Sequence, residues 1–96
     1  MTCKIVHYLI SLDREKVKLK VPFGSKLFGL QPYRCNKISI LALVDDSQKK
    51  SETKTLYITK EGKSIPHNLN DLKPIGEGIC ILQNDVPLCI FELIVR

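Results

Sequence analysis

The sequence contains few of the residues that enzymes use for catalysis or metal binding. Only two histidines, His7 and His67, occur among the 96 residues, and neither has a second metal ligand or a nucleophile at a diagnostic spacing. Glycine is also scarce, and Gly62 in the segment KEGK is typical of a turn rather than of a phosphate-binding loop. We therefore expect a protein that is not an enzyme and that uses no metal or other cofactor.

Long apolar runs and dense aromatic clusters are absent as well. No apolar run approaches the roughly 18 residues that a membrane helix needs. The N-terminal segment lacks the basic, apolar and small-residue regions of a secretory signal. Three tyrosines and three phenylalanines are too sparse to form a platform that stacks several bases. We expect a cytoplasmic protein that binds neither a membrane nor a long nucleic acid.

The cysteines do not follow the spacing of a zinc site. The four cysteines are widely separated, and none forms a Cys-x-x-Cys pair: they are Cys3, Cys35, Cys80 and Cys89. Because three of them stand in apolar runs, we interpret them as buried free thiols that act as small hydrophobic residues in a reducing cytosol. Disulfides or a nucleophilic thiol are the alternatives.

The formal net charge of +5 favours an anionic partner. Lysines dominate this charge and fall into two groups. Lys16, Lys18 and Lys20 alternate along one predicted strand, where lysines deter pairing between sheet edges. The second group lies in the middle of the chain and contains Lys49, Lys50, Lys54, Lys60 and Lys63. This second group is the better candidate for anion binding because an aromatic residue lies beside it.

Hydrophobic residues recur with the period of strands rather than helices. Residues 38–44 (ISILALV) contain one polar side chain, which predicts a central strand covered on both faces. Gly29 and Pro32 indicate a bulge or an edge position in the preceding strand. The predicted strands are residues 3–12, 15–21, 26–33, 38–44, 53–59, 75–82 and 87–95. About seven short strands without an amphipathic helix predict one all-β domain over residues 1–96, a compact antiparallel β-sandwich or a small barrel.

Tyr57 is the one aromatic residue that the strand period places outside the core. Leu56 and Ile58 face one side of their strand, whereas Tyr57 and the threonines beside it face the other. An aromatic ring can stack on a base, and ammonium and hydroxyl groups can bind a phosphate. The predicted nucleotide site therefore contains Tyr8, Arg34, Lys54, Tyr57, Thr59, Lys60 and Lys63. A surface ladder of tyrosine and threonine without a ligand is the alternative.

Several short motifs occur in a characteristic order along nearly the whole chain. They are Tyr8 after an apolar opening, a strand that ends before Gly24, and residues 42–45, 52–58, 62–66, 75–76 and 90–92. Their order and spacing resemble a family of small β proteins encoded by bacteriophages and prophages. This sequence departs from the family pattern at Leu41, where a tryptophan is usual, and at Lys60, where a glycine is usual.

The resemblance implies a phage anti-defence protein in the cytoplasm of the infected bacterial host. Such a protein could be an anti-CBASS sponge, which binds and sequesters a cyclic nucleotide immune signal without degrading it. A site on so small a protomer is shallow, so we expect a homo-oligomer, a dimer or a tetramer, that encloses the ligand between subunits. The alternative is a protein-binding inhibitor of a host defence complex that uses a flat, basic edge strand.

Overall fold

Two antiparallel sheets pack against each other in the computed structural model of the chain, which describes residues 2–33, 36–76, 81–83 and 86–94. The first sheet contains β1 (Cys3–Ser11), β3 (Lys26–Pro32) and β4 (Lys37–Asp45), in the order β1-β4-β3. The second sheet contains β2 (Lys16–Pro22), β5 (Ser51–Lys60), β6 (Leu72–Pro74), β7 (Ile81–Gln83) and β8 (Val86–Leu93). Its order is β2-β5-β8-β6, and β7 also pairs with β8.

The predicted all-β class is confirmed. The sheets do not close into a barrel, so the sandwich is the correct alternative of the two. Helical structure in the described residues is limited to the 3-10 turn Leu69–Asp71. No helix in this part of the chain is long and apolar enough to cross a membrane.

The predicted strand over residues 75–82 is only partly confirmed. Residues 75 and 76 form a turn, residues 81 and 82 belong to β7, and residues 77–80 lie outside the described part of the chain. The pairing with β8 is made instead by Leu72–Pro74, which precede this turn, and by Ile81–Gln83. The backbone N–H of Ile75 still donates to the carbonyl of Ile90 at 2.9 Å. Ile75 is buried in the core, so its side chain contributes to packing where the chain turns away from β8.

The core is the apolar layer between the two sheets. Alternate residues of β4 face this layer and are buried: Ile38, Ile40, Ala42 and Val44. The second sheet contributes Leu56, Ile58, Leu88 and Ile90 to the same cluster. Full burial of one such large aliphatic side chain stabilises the fold by about 1.5 to 3 kcal/mol. This layer therefore fixes which face of every strand points inward.

The other face of β4 is only partly covered. The apolar sequence of β4 predicted cover on both faces, yet Leu43 is 40% exposed. A sandwich of two sheets covers one face of each sheet, and no third layer lies over Leu43 in the described residues. The central position of β4 between β1 and β3 is confirmed, and the expectation of burial on both faces is wrong.

The edge strand β3 carries the predicted irregularity. The register between β3 and β4 shifts between Leu27 and Gly29, which is a β-bulge. A Cβ atom on Gly29 would lie 2.9 Å from Cδ1 of Leu41, so a larger residue here would require the Leu41 side chain to shift. The bulge and the edge position inferred from Gly29 and Pro32 are both confirmed.

Two cysteines differ from the interpretation as buried free thiols. Cys3 is a free thiol, but it is exposed. Cys89 forms a disulfide, and the residue bonded to it lies outside the described residues. The expectation is therefore wrong for burial at Cys3 and for the redox state at Cys89.

Lys54 faces the core side of β5 and forms an ion pair there. Its Nζ lies 3.0 Å from Oε2 of Glu92 on β8 and 3.7 Å from Oε1 of Glu52. The side chains of Lys54 and Glu92 are only 13% and 12% exposed. Because removal of water from both charges is costly, each of these two groups depends on the other for compensation.

We expect Lys54→Met to lower the free energy of unfolding by about 3 kcal/mol, because it leaves the carboxylate of Glu92 buried without its partner. The double variant Lys54→Met/Glu92→Leu should recover most of this loss, since it removes both charges. Urea unfolding followed by circular dichroism measures the difference. Lys18→Met, at an exposed lysine of β2, is the control. A loss in Lys54→Met no larger than in this control would contradict the assignment.

Candidate functional site

Two adjoining cavities lie where the turn between β1 and β2 meets the C-terminal end of β5. Antiparallel pairing places Lys16 of β2 opposite Tyr57 of β5, and the N–H of Ile58 donates to the carbonyl of Glu15 at 2.9 Å. The first cavity, of about 410 Å³, is lined by Leu12, Asp13, Arg14, Glu15, Asn36, Ile58, Lys60, Lys63 and Leu88. The second, of about 300 Å³, is lined by Glu15, Lys16, Tyr57, Ile58, Thr59, Lys63, Ser64, Ile65 and Pro66. We call the two cavities together the end groove.

Positive charge predominates in the end groove. Its lining contains the four basic residues Arg14, Lys16, Lys60 and Lys63 and the two acidic residues Asp13 and Glu15. A concave surface with an excess of one charge concentrates ligands of the opposite sign. The groove is therefore suited to an anion.

An ion pair between Lys63 and Glu15 lies at the boundary of the two cavities, because both residues line both of them. The hydrogen bond from Lys63 and the charge of its ammonium hold the pKa of Glu15 below its ordinary value, with a smaller contribution from Lys60. Both side chains are more than half exposed. Because exposed ion pairs contribute little to stability, an anionic ligand could displace Glu15 from Lys63 at small cost.

The loop after β5 returns along the sheet and positions His67 against Tyr57. Gly62 has a φ of +87°, a conformation that glycine adopts without strain, and the N–H of Lys63 donates to the carbonyl of Lys60 at 3.1 Å. This turn confirms the interpretation of Gly62. His67 Nε2 then lies 2.8 Å from the hydroxyl of Tyr57, and the two rings meet edge to face with centroids 5.2 Å apart. These contacts fix the orientation of the Tyr57 ring at the wall of the second cavity.

The structure brings together four of the seven predicted nucleotide-binding residues, Tyr57, Thr59, Lys60 and Lys63. Each of them lines the end groove. The four residues come from the end of β5 and the turn that follows it. Part of their proximity in space therefore follows from their closeness along the chain.

The remaining predicted residues do not join this group. Tyr8 is on β1 in the other sheet and packs against the core, and Lys54 pairs with Glu92 on the core side. The period of two explains both outcomes, since Tyr8 shares a face with Ile10 and Lys54 shares a face with Leu56. Arg34 lies outside the described residues.

The residues that the sequence did not identify come from other segments. Arg14, Glu15 and Lys16 line the groove because β2 pairs with β5, two strands that are not consecutive in the chain. His67 contacts Tyr57 through the return of the loop. No local pattern signals either arrangement, so only the three-dimensional structure could identify these groups.

A separate cavity on the first sheet contains a contact between a histidine and a serine. His7 Nδ1 lies 3.1 Å from the hydroxyl of Ser39, and both residues line a cavity of about 400 Å³. Within the described residues, no group of three or more side chains of histidine, cysteine, aspartate or glutamate could hold a metal ion. Because Ser39 is only 6% exposed, the contact satisfies the hydrogen-bonding needs of a buried hydroxyl.

No protein-family model, no curated protein and no solved structure matches this chain. The functional argument therefore depends on the geometry and charge of the end groove.

We expect Lys63→Ala to raise the pKa of the Glu15 carboxyl toward its ordinary value, because the substitution removes a hydrogen bond and a positive charge that favour the ionised form. A pH titration of the Glu15 side chain by NMR measures this change. Lys60→Ala, which removes a smaller contribution, should raise the pKa less.

The lowered pKa of Glu15 also makes the stability of the folded protein depend on pH. The folded-state pKa of Glu15 is lowered, so the stabilisation from this pair is present above the ordinary pKa of glutamate and is lost as the pH falls through the folded-state value. An unchanged Glu15 titration in Lys63→Ala would contradict the pairing.

Proposed function

We propose that the protein binds a cyclic nucleotide signal in the end groove and sequesters it without degrading it. The observation that supports this proposal is the convergence of Tyr57, Thr59, Lys60 and Lys63 on two adjoining cavities with an excess of positive charge. The sequence alone predicted the same four residues as nucleotide contacts. The cavities add Arg14 from the turn before β2.

Each ligand group has a chemically suitable partner in the groove. The Tyr57 ring, oriented by its contacts with His67, offers a surface on which a base can stack. The ammonium groups of Lys60 and Lys63 and the guanidinium of Arg14 can bind phosphate oxygens. Lys63 exchanges its hydrogen bond with Glu15 for one with the phosphate, so the groove carries a built-in competitor for the ligand.

The size of the groove favours a shared site. Its cavities of about 410 and 300 Å³ are at the lower end of the range of ligand pockets, which is about 300 to 1,000 Å³. A cyclic dinucleotide would extend beyond one such cavity, and a second subunit could cover the exposed part. Sequestration then requires only slow release, which enclosure between the subunits of a dimer or tetramer would provide.

The cellular setting that we propose rests on the resemblance to phage proteins. A protein of this kind acts in the cytoplasm of the infected bacterium, where it removes a cyclic nucleotide before the host defence detects it. The disulfide at Cys89 is unusual for a reducing cytoplasm. Ligand binding should therefore be measured both with and without a thiol reductant.

A second function, inhibition of a host defence complex by direct protein binding, is favoured by one observation. Lys16, Lys18 and Lys20 are exposed along β2, which is an edge strand of the second sheet. Such a surface could pair with an acidic partner. Lys18 and Lys20 do not line the end groove, so reversal of their charges separates this function from nucleotide binding.

We expect a thermal-shift screen against cyclic dinucleotides, cyclic trinucleotides and ADP-ribose derivatives to identify a stabilising ligand. Binding at a hundredfold excess over Kd stabilises the native state by about 2.7 kcal/mol, which raises the Tm of a domain of this size by roughly 10 °C or more. Tyr57→Ala should weaken the binding of that ligand by about tenfold or more, because base stacking is lost. Mass spectrometry of the ligand released by heat should find it intact.

Matched variants separate the contributions to binding. Tyr57→Phe keeps the stacking ring but loses the hydrogen bond to His67, so it should bind more tightly than Tyr57→Ala. The double variant Lys63→Ala/Glu15→Gln leaves no unpaired carboxylate that would repel the ligand. It should bind the ligand more weakly than Glu15→Gln alone. Recovery of a chemically altered ligand would identify an enzyme. The protein-binding inhibitor would be supported if no nucleotide binds and Lys18→Glu/Lys20→Glu no longer inhibits the host defence complex.

A further inference from the structure

The outer strand β1 lacks the features that prevent pairing at the other sheet edges. Proteins protect an edge strand with charge, proline, a bulge or short length. On the second sheet, β2 carries lysine at alternate positions, and β6 has three residues and contains Pro74. On the first sheet, β3 has a bulge and contains Pro32. By contrast, β1 extends over nine residues (CKIVHYLIS) with one charged residue and pairs with β4 in an unbroken register.

The hydrogen bonds at the two ends of β1 show which of its backbone groups point toward β4 and which point away from it. The N–H of Leu12 donates to the carbonyl of Asn36, and the N–H of Asp46 donates to the carbonyl of Thr2. In an antiparallel pair, residues directed toward the partner alternate with residues directed away from it. The even-numbered residues of β1 therefore pair with β4. The odd-numbered residues direct their N–H and carbonyl groups toward the edge of the sheet at which no strand of the described residues pairs.

The same odd-numbered residues place apolar side chains on the outer face of the sheet. Ile5 is 57% exposed and Leu9 is 48% exposed. They flank His7, which is also exposed. Backbone groups that point away from β4 and exposed aliphatic side chains therefore occur together along β1.

We propose that β1 pairs with β1 of a second copy of this chain in antiparallel orientation, with the twofold axis at His7. This register places Ile5 of each copy opposite Leu9 of the other copy, and Cys3 opposite Ser11. All the outward-directed backbone groups of β1 then acquire partners. The two three-stranded sheets become one continuous sheet.

The charge pattern of β1 fits a second copy. Lys4 is the one charged residue of the strand, and in this register it lies opposite Ile10 rather than opposite Lys4 of the second copy. Like charges directly opposite each other are destabilising, and no lysine, arginine or carboxylate meets its like in this pairing, in which His7 faces His7 of the second copy at the axis. The antiparallel pairing uses the same strand of both copies, which is the isologous contact expected for a twofold dimer.

This interface lies away from the end groove, so it is a different contact from the one that would enclose a ligand there. None of the residues of Cys3–Ser11 lines the end groove. A failure of dimerisation and a failure of ligand binding can therefore be distinguished in separate measurements on the same protein.

The test is sedimentation equilibrium of the full chain and three variants. The original protein should form a dimer. Ile5→Lys/Leu9→Lys should raise the dimer dissociation constant by about tenfold or more, because lysines then face each other twice across the axis. Ile5→Lys/Leu9→Glu places opposite charges at the same positions and should restore dimerisation. Leu43→Lys, on the same face but on the central strand β4, should leave the dimer intact.

Hydrogen exchange provides a second readout that confirms folding. The amides of Ile5, His7 and Leu9 should be protected in the dimer and exchange rapidly in Ile5→Lys/Leu9→Lys. The amides of Val6 and Tyr8, which pair with β4, should stay protected in both proteins. A monomeric original protein would overturn the proposal. A monomeric Ile5→Lys/Leu9→Glu variant would also overturn it. So would a dimer that dissociates in Leu43→Lys but persists in Ile5→Lys/Leu9→Lys.

Discussion

Burial of one face of β4 against the second sheet is the constraint on which the rest of the structure depends. Ile38 and Ile40 have no exposed surface, and neither does Leu56 on the opposite side of the layer. Because side chains alternate along a strand, a shift of one residue would exchange the buried and exposed faces. The apolar layer therefore sets the direction of every side chain on β4 and β5, including those that have no part in the core.

This constraint also determines what each sheet offers to a partner. On β5 it turns Tyr57 and Thr59 outward and Lys54 inward, where Lys54 meets Glu92. On the first sheet it leaves the opposite face with exposed aliphatic residues such as Ile5 and Leu43. Basic groups collect at one end of the sandwich, and apolar groups lie along the outer face of the first sheet. One packing arrangement thus yields a surface suited to an anion and an edge suited to a second copy.

The sequence predicts those features that depend on local pattern. The period of two identifies most of the strands, and it places Tyr57 outside the core. It failed where pairing is non-local, because nothing in the sequence of β2 indicates that Glu15 and Lys16 lie beside the end of β5. Tyr8 and Lys54 share a face with core residues, so the structure does not bring them to the end groove. The role of the end groove as a nucleotide site stays a prediction.

The most direct measurement of that role is an amide chemical-shift map of the isotopically labelled protein during titration with the cyclic nucleotide that stabilises it most. Binding in the end groove predicts that the largest shifts occur at residues 13–16 and 57–65, the two segments that supply most of the groove lining. The amides of β3, on the other sheet, should move little. Largest shifts along β3, or around His7 and Ser39, would contradict the assignment of the site.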